Sequence, residues 1–204
     1  IAPPAHADAG LMAFGLTAYG LTGCAAVEVG GAAMGAAAEH DRRDYTAKLD
    51  DQEIELKAMS AISNEGSLDG RMRIAISSYN RNVLLTGQAD DDAAASRAAA
   101  LVAALPKVER VIDEVSVGPP ISLAQESRDV FITSQAKIAL AKVDLPGFDP
   151  TRVKVVTEDA VVYLMGLVSP EEGDASAERV RFVPGVKRVV KLFEHLQPES
   201  PGAS

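Results

Sequence analysis

Val83-Leu-Leu-Thr-Gly87 and Val162-Tyr-Leu-Met-Gly166 carry one pattern twice, an apolar run closed by glycine, with starting positions 79 residues apart (83 and 162). Such self-similarity is worth extending outward from its seed, because it fixes the unit of the fold. Upstream, Arg73-Ile-Ala-Ile-Ser-Ser78 faces Arg152-Val-Lys-Val-Val-Thr157, and both alternate apolar with other residues as a half-buried strand does. Downstream, after a gap of one residue, Leu105-Pro-Lys-Val-Glu-Arg-Val-Ile112 faces Val183-Pro-Gly-Val-Lys-Arg-Val-Val190. Asn80-Arg81-Asn82 and Glu158-Asp159-Ala160 fall between paired strands and are expected to be hairpin turns.

The intervals around these strands read as helices. Asp90 to Ala104 is alanine-rich with aspartates suited to a helix start. Ser169-Pro170-Glu171-Glu172 gives the segment from Ser169 to Phe182 an N-cap, a first-turn proline and acidic residues. Amphipathic stretches precede each hairpin, Asp50 to Glu65 and Glu126 to Val143, the first with Ile54, Ala58, Ala61 and Ile62 on one face. Each unit is therefore expected to run helix, strand, strand, helix, strand. The fold class is α+β, two tandem modules, each a small three-stranded sheet covered by two helices. Expected boundaries are 48–117 and 122–197, joined by a stiff linker at 118–121 around Gly118-Pro119-Pro120 and followed by a disordered tail at 198–204. Gly87 and Gly166 occupy corresponding strand ends, where a missing side chain permits a bulge or close packing, so both are expected to be structural.

Aromatic residues are only 4% of the chain and Trp is absent, so the cores must be aliphatic. The net charge of −9 excludes a global grip on nucleic-acid phosphates. Charge is unevenly shared. Asp50 to Val117 holds 12 acidic and 7 basic residues, a net of −5, whereas Ser122 to Gln197 holds 11 and 10, a net of −1. The second module is thus the less repelled by an anionic membrane.

Cys24 is the single cysteine, which rules out an intramolecular disulfide and the usual zinc spacings. It closes an uncharged run from Gly10 to Gly23 that is too short and glycine-rich for a membrane span and reads as the apolar core of a signal peptide over 1–23. Leu21-Thr22-Gly23-Cys24 resembles the bacterial lipobox, which implies cleavage before Cys24 and lipidation of its thiol. The alternative is a free Cys buried in an Ala/Gly-rich helix. Ile1 to Leu21 contains no Lys or Arg, so the positive start of the signal is expected upstream of Ile1. Ala25 stands where an Asp resembles an inner-membrane retention signal, and its presence implies sorting to the outer membrane. Ala25 to Ala38 and the polar Glu39-His-Asp-Arg-Arg-Asp44 are read as a tether, giving a lipidated, flexible segment over 24–47.

The order of elements, the strand glycines and a final strand ending in Val108-Glu-Arg-Val111 and Val186-Lys-Arg-Val189 resemble the BON domain. Two such modules behind a lipobox are similar to the dual-BON outer-membrane lipoprotein family, tied to envelope integrity, division-site localisation and lipid asymmetry. That resemblance implies a protein held on the outer membrane facing the periplasm, with an anionic phospholipid membrane as partner. It also implies that the first helix of the second module touches lipid, with Phe131 at the place of the family's aromatic. Ile132, Lys137 and Ile138 on that stretch complete the expected lipid-binding set, with Lys142, Arg179, Arg181, Lys187, Arg188 and Lys191 as neighbouring cations. Phe131 is equally open to a core role. The rival function is that of a protein-docking accessory factor in outer-membrane assembly or peptidoglycan remodelling.

No catalytic constellation is legible. His6, His40 and His195 are scattered, so none is placed as a metal ligand or as a base beside a nucleophile. Asp90-Asp-Asp92 and Glu171-Glu172 open helices, where carboxylates favour the dipole. Gly30-Gly31 and Gly35 lack the strand and the Lys-Ser/Thr ending of a phosphate loop. No enzyme activity, cofactor, metal or nucleic acid is expected.

Overall fold

The computed structural model describes residues 41–196. The first module comprises α1 (Tyr45–Ser63), β1 (Met72–Tyr79), β2 (Asn82–Ala89), α2 (Asp92–Ala103) and β3 (Arg110–Val117). The second repeats it as α3 (Leu123–Leu140), β4 (Val153–Glu158), β5 (Val161–Val168), α4 (Pro170–Val180) and β6 (Arg188–His195). In each sheet the middle strand of the sequence is also central in space, pairing antiparallel with the first strand and parallel with the last. The parallel pairing requires a crossover, which α2 and α4 supply. Helix starts follow the capping chemistry of the sequence. Ser122 and Ser169 form reciprocal capping boxes with Gln125 and Glu172, and Asp91 accepts from the Ala94 amide.

The hairpins are tighter than three-residue turns. Asn80 and Arg81 have φ of 50° and 64°, Asp159 and Ala160 have φ of 44° and 62°, and the remaining residue of each expected turn, Asn82 in one and Glu158 in the other, belongs to a strand. Two consecutive left-handed residues make the turn that matches strand twist, normally built with glycine. Here a buried aspartate on the preceding helix holds the turn. Asp51 accepts from the amides of Asn80 and Arg81, both at 2.8 Å, and Asp129 accepts from those of Asp159 and Ala160, also at 2.8 Å. Charge-assisted bonds of this kind offset the strain of non-glycine residues at positive φ. Asp129→Ala is expected to lower stability by about 2 kcal/mol, the scale for a lost charged hydrogen bond that strands buried donors. Urea unfolding checks it, and an unchanged midpoint would show that the turn holds itself.

The modules pack sheet against sheet, with all four helices outside. Val83 and Leu85 face the helices of the first module while Leu84 faces the other sheet; Val162 and Leu164 face their own helices while Tyr163 and Met165 face across. Both central strands are thus buried on both faces, which is why each reads as an unbroken apolar run. Polar bonds frame the contact. The Tyr79 hydroxyl donates to the Arg152 carbonyl at 3.2 Å, Gln88 donates to Glu158 at 2.8 Å, and Asn80 and Asn82 both donate to Glu194 at 2.9 Å. Burial, with the nearby Glu114 carboxylate second, pushes the Tyr163 hydroxyl up to about 12, so it stays neutral.

Two expectations on chain organisation need correction. Residues 41–47 do not belong to the expected tether over 24–47, because the charges of Asp41–Asp44 have partners in both modules and Tyr45 opens α1. Arg42 pairs with Glu172, Arg43 donates to Asp51 at 2.9 Å and lies 4.0 Å over the Tyr79 ring, and Asp44 caps α1. Burial pushes the Asp41 carboxyl up, yet hydrogen bonds from Arg43 and Lys48 hold it down at about 2. The Val-x-x-Val motif opens the last strand of each module rather than ending it, since Val108 and Val186 pack on the cores just before Arg110 and Arg188. Residues 1–40, with the expected signal, Cys24, His6 and His40, and the tail at 198–204 lie outside the described residues.

Candidate lipid-contact site

Helix α3 has two faces. Asp129, Ile132, Ala136 and Leu140 are buried, at the i, i+3, i+7, i+11 spacing of an inward stripe. Ile132 is 0% exposed and packs in the core with Val153, Val162 and Val180, so it is removed from the lipid-contact set. The reason is angular: neighbours on a helix point about 100° apart, and Phe131 and Ile132 cannot share a face. Phe131 is 56% exposed, which settles its place outside the core. Val130 at 68% and Ile138 at 49% flank it, and Leu123 extends the stripe to the start of the helix. Phe182, 69% exposed just beyond α4, joins Ile138 around a small depression of about 170 Å³ lined also by Lys142 and Arg179. The sequence reading missed Val130, Leu123 and Phe182, although Leu123, Val130 and Phe131 share the outward arc once Ile132 is turned inward.

The cations divide into two groups. Lys187 pairs with Asp159 at 3.1 Å, Arg188 with Glu114 at 3.3 Å, Lys191 with Asp174 at 2.8 Å and Arg181 with Glu178 at 2.7 Å, so their charge is largely neutralised. Arg128, Lys137, Lys142 and Arg179 are exposed and form no ion pair among the described residues. The unpaired cationic charge of the second module therefore lies around the apolar stripe of α3. Apolar side chains ringed by unpaired cations can enter the headgroup boundary while the cations meet phosphates.

Gly87 and Gly166 sit inside β2 and β5, two residues short of each strand end. Gly87 has φ of +121°, and a Cβ there would lie 2.1 Å from the Arg73 carbonyl oxygen. At Gly166 a Cβ would lie 2.7 Å from the Arg152 carbonyl oxygen, at an ordinary φ. Among the described residues no group of three or more His, Cys, Asp or Glu could hold a metal ion. No described helix is long and apolar enough to cross a membrane.

The BON domain model matches residues 50–119 and 129–196, over each of the two modules. The chain belongs to the dual BON-domain outer-membrane lipoprotein family. It is 34% identical to the outer membrane lipoprotein DolP of Haemophilus influenzae over 85% of this chain and 89% of that protein. It is 35% identical to a 21 kDa hemolysin of Actinobacillus pleuropneumoniae over 77% of this chain and 80% of that protein. Neither name is that of an enzyme. Among solved structures, CdsD, a structural protein of the type III secretion system of Chlamydia trachomatis, aligns with a TM-score of 0.26 and 13% identity over 69% of this chain and 93% of that one.

Proposed function

We propose that this BON protein is held on the periplasmic side of the outer membrane through lipidated Cys24 and binds anionic phospholipid through the second module. The observation that carries this is the exposed stripe Leu123, Val130, Phe131 and Ile138 with the unpaired cations Lys137, Lys142 and Arg179 beside it. Acyl chains on Cys24 supply permanent attachment, since each buried methylene contributes about 0.8 kcal/mol and two or more chains anchor stably. The helix then adds a weak, headgroup-selective contact. Vesicle flotation tests it: the chain carrying Cys24→Ser should float with anionic but not zwitterionic vesicles, and equal flotation with both would overturn the selectivity. The anchor has its own test. In cells Cys24→Ser should appear in the soluble periplasmic fraction, and retention on the membrane after a salt wash would count against lipidation.

A second reading, docking of an envelope protein, is favoured by α1. Tyr45, Leu49, Leu56 and Met59 are exposed along one side of it, at successive spacings of four, seven and three residues. Loss of a protein partner on Leu56→Glu, with vesicle binding intact, would support it.

A further inference from the structure

We infer that the cleft between the two modules is a receptor for a phosphate-bearing anion, the headgroup of the lipid that α3 enters; this rests on the lipid-binding reading. The cleft has a volume of about 790 Å³, within the usual range of about 300–1,000 Å³ for small-ligand sites. Four cations reach it from four separate parts of the chain: Arg43 before α1, Lys48 on α1, Lys137 on α3 and Lys154 on β4. Two carboxylates also line it, Asp51 and Glu55. The lining is therefore net +2, in a protein whose net charge is −9.

The carboxylates are already committed. Asp51 accepts from the Ser78 hydroxyl at 2.7 Å, from the two turn amides and from Arg43. Glu55 accepts from the Ser78 amide at 2.7 Å and from Lys154 at 2.8 Å. Lys48 meets Asp41, outside the lining, at 3.0 Å, while Lys137 has no ion pair among the described residues. Arg43 and Lys154 are held by those same carboxylates, so what the cleft offers a ligand is the unpaired Lys137 and Lys48, whose one carboxylate partner lies outside the lining, beside the apolar Val153 and Val155. A phosphodiester on a glycerol frame has that character, an anion with a short apolar stem.

Lys137 joins the two sites. It lines the cleft and immediately precedes Ile138, an exposed residue of the membrane-facing stripe. A helix lying with its apolar face about 5–10 Å into the headgroup boundary would hold the cleft mouth at the level of the phosphates.

The test uses the whole chain with Cys24→Ser and two soluble probes, inorganic phosphate and dihexanoyl phosphatidylglycerol below its micelle concentration. Amide shifts of Ser78, Thr151 and Lys154 should move with the short-chain lipid. Lys48→Gln and Lys137→Gln should each weaken that binding about fivefold, the scale for one cation near an anionic group. Lys57→Gln, on α1 but outside the cleft, should leave it unchanged. Phe131→Glu should lose vesicle binding and keep the soluble headgroup, which separates the two sites. Binding of inorganic phosphate with no response to the short-chain lipid would keep the anion site and overturn the headgroup as its ligand. No movement of the cleft amides with either probe would overturn the cleft, and vesicle binding by α3 would then stand alone.

Discussion

Gly87→Val is expected to cost about 4 kcal/mol and to lower the melting temperature by about 10 °C, at roughly 2–4 °C per kcal/mol for a cooperative unit of about 150 residues. Two effects add. With φ of +121°, the position lies in a region that residues with a Cβ rarely adopt. The Cβ would also fall 2.1 Å from the Arg73 carbonyl oxygen and 2.8 Å from the Ile74 Cα. Both atoms are backbone of the neighbouring strand, so they cannot swing aside, and β1 would have to part from β2. A β-branched side chain sharpens the conflict, because its rotamers are few. Gly166→Val should cost less, since its φ is ordinary and its nearest atom, the Arg152 carbonyl oxygen, stands farther away at 2.7 Å. Thermal melts of both variants check the order. Equal small shifts would mean that the strands give way without cost.

The repeat was legible because both modules meet the same physical demands with the same residue types: alternating outer strands, capped helices, and a glycine where two backbones approach. The sheet-to-sheet packing was written less openly. Val83-Leu-Leu and Val161-Val-Tyr-Leu-Met are unbroken apolar runs, the mark of a strand buried on both faces, yet a hairpin alone cannot say what covers the second face. The hairpin clamps were hidden because Asp51 and Asp129 look like ordinary surface charges on amphipathic helices until the turn folds back over them. The same holds for Asp41–Asp44, whose charge pattern is that of a solvated tether and whose partners lie far along the chain. Ile132 was misassigned at a point where local reasoning had the means to decide. The stripe Asp129, Ile132, Ala136 and Leu140 has helical period, and following it would have turned Ile132 inward and Val130 outward.

Phe131→Glu is expected to abolish binding to anionic vesicles while leaving the fold intact. The side chain is 56% exposed and lies outside the core of the second module, so its removal takes little from stability. Burying a phenyl ring in the membrane boundary contributes about 1.5–3 kcal/mol, most of what a weak peripheral contact can have. Glutamate removes that gain and adds a negative charge facing anionic phosphates, which offsets the attraction of the exposed cations on the same helix and just after it, Lys137 and Lys142. Phe131→Leu separates the two contributions: it keeps apolar contact and should retain partial binding. Wild-type binding should fall steeply with salt, because exposed charges are screened over about 8 Å at physiological ionic strength. Flotation of the three proteins at low and high salt, with melting curves to confirm folding, makes the measurement. A folded Phe131→Glu variant that floats as well as wild type would remove α3 as the lipid contact and favour the exposed face of α1 as the surface that matters.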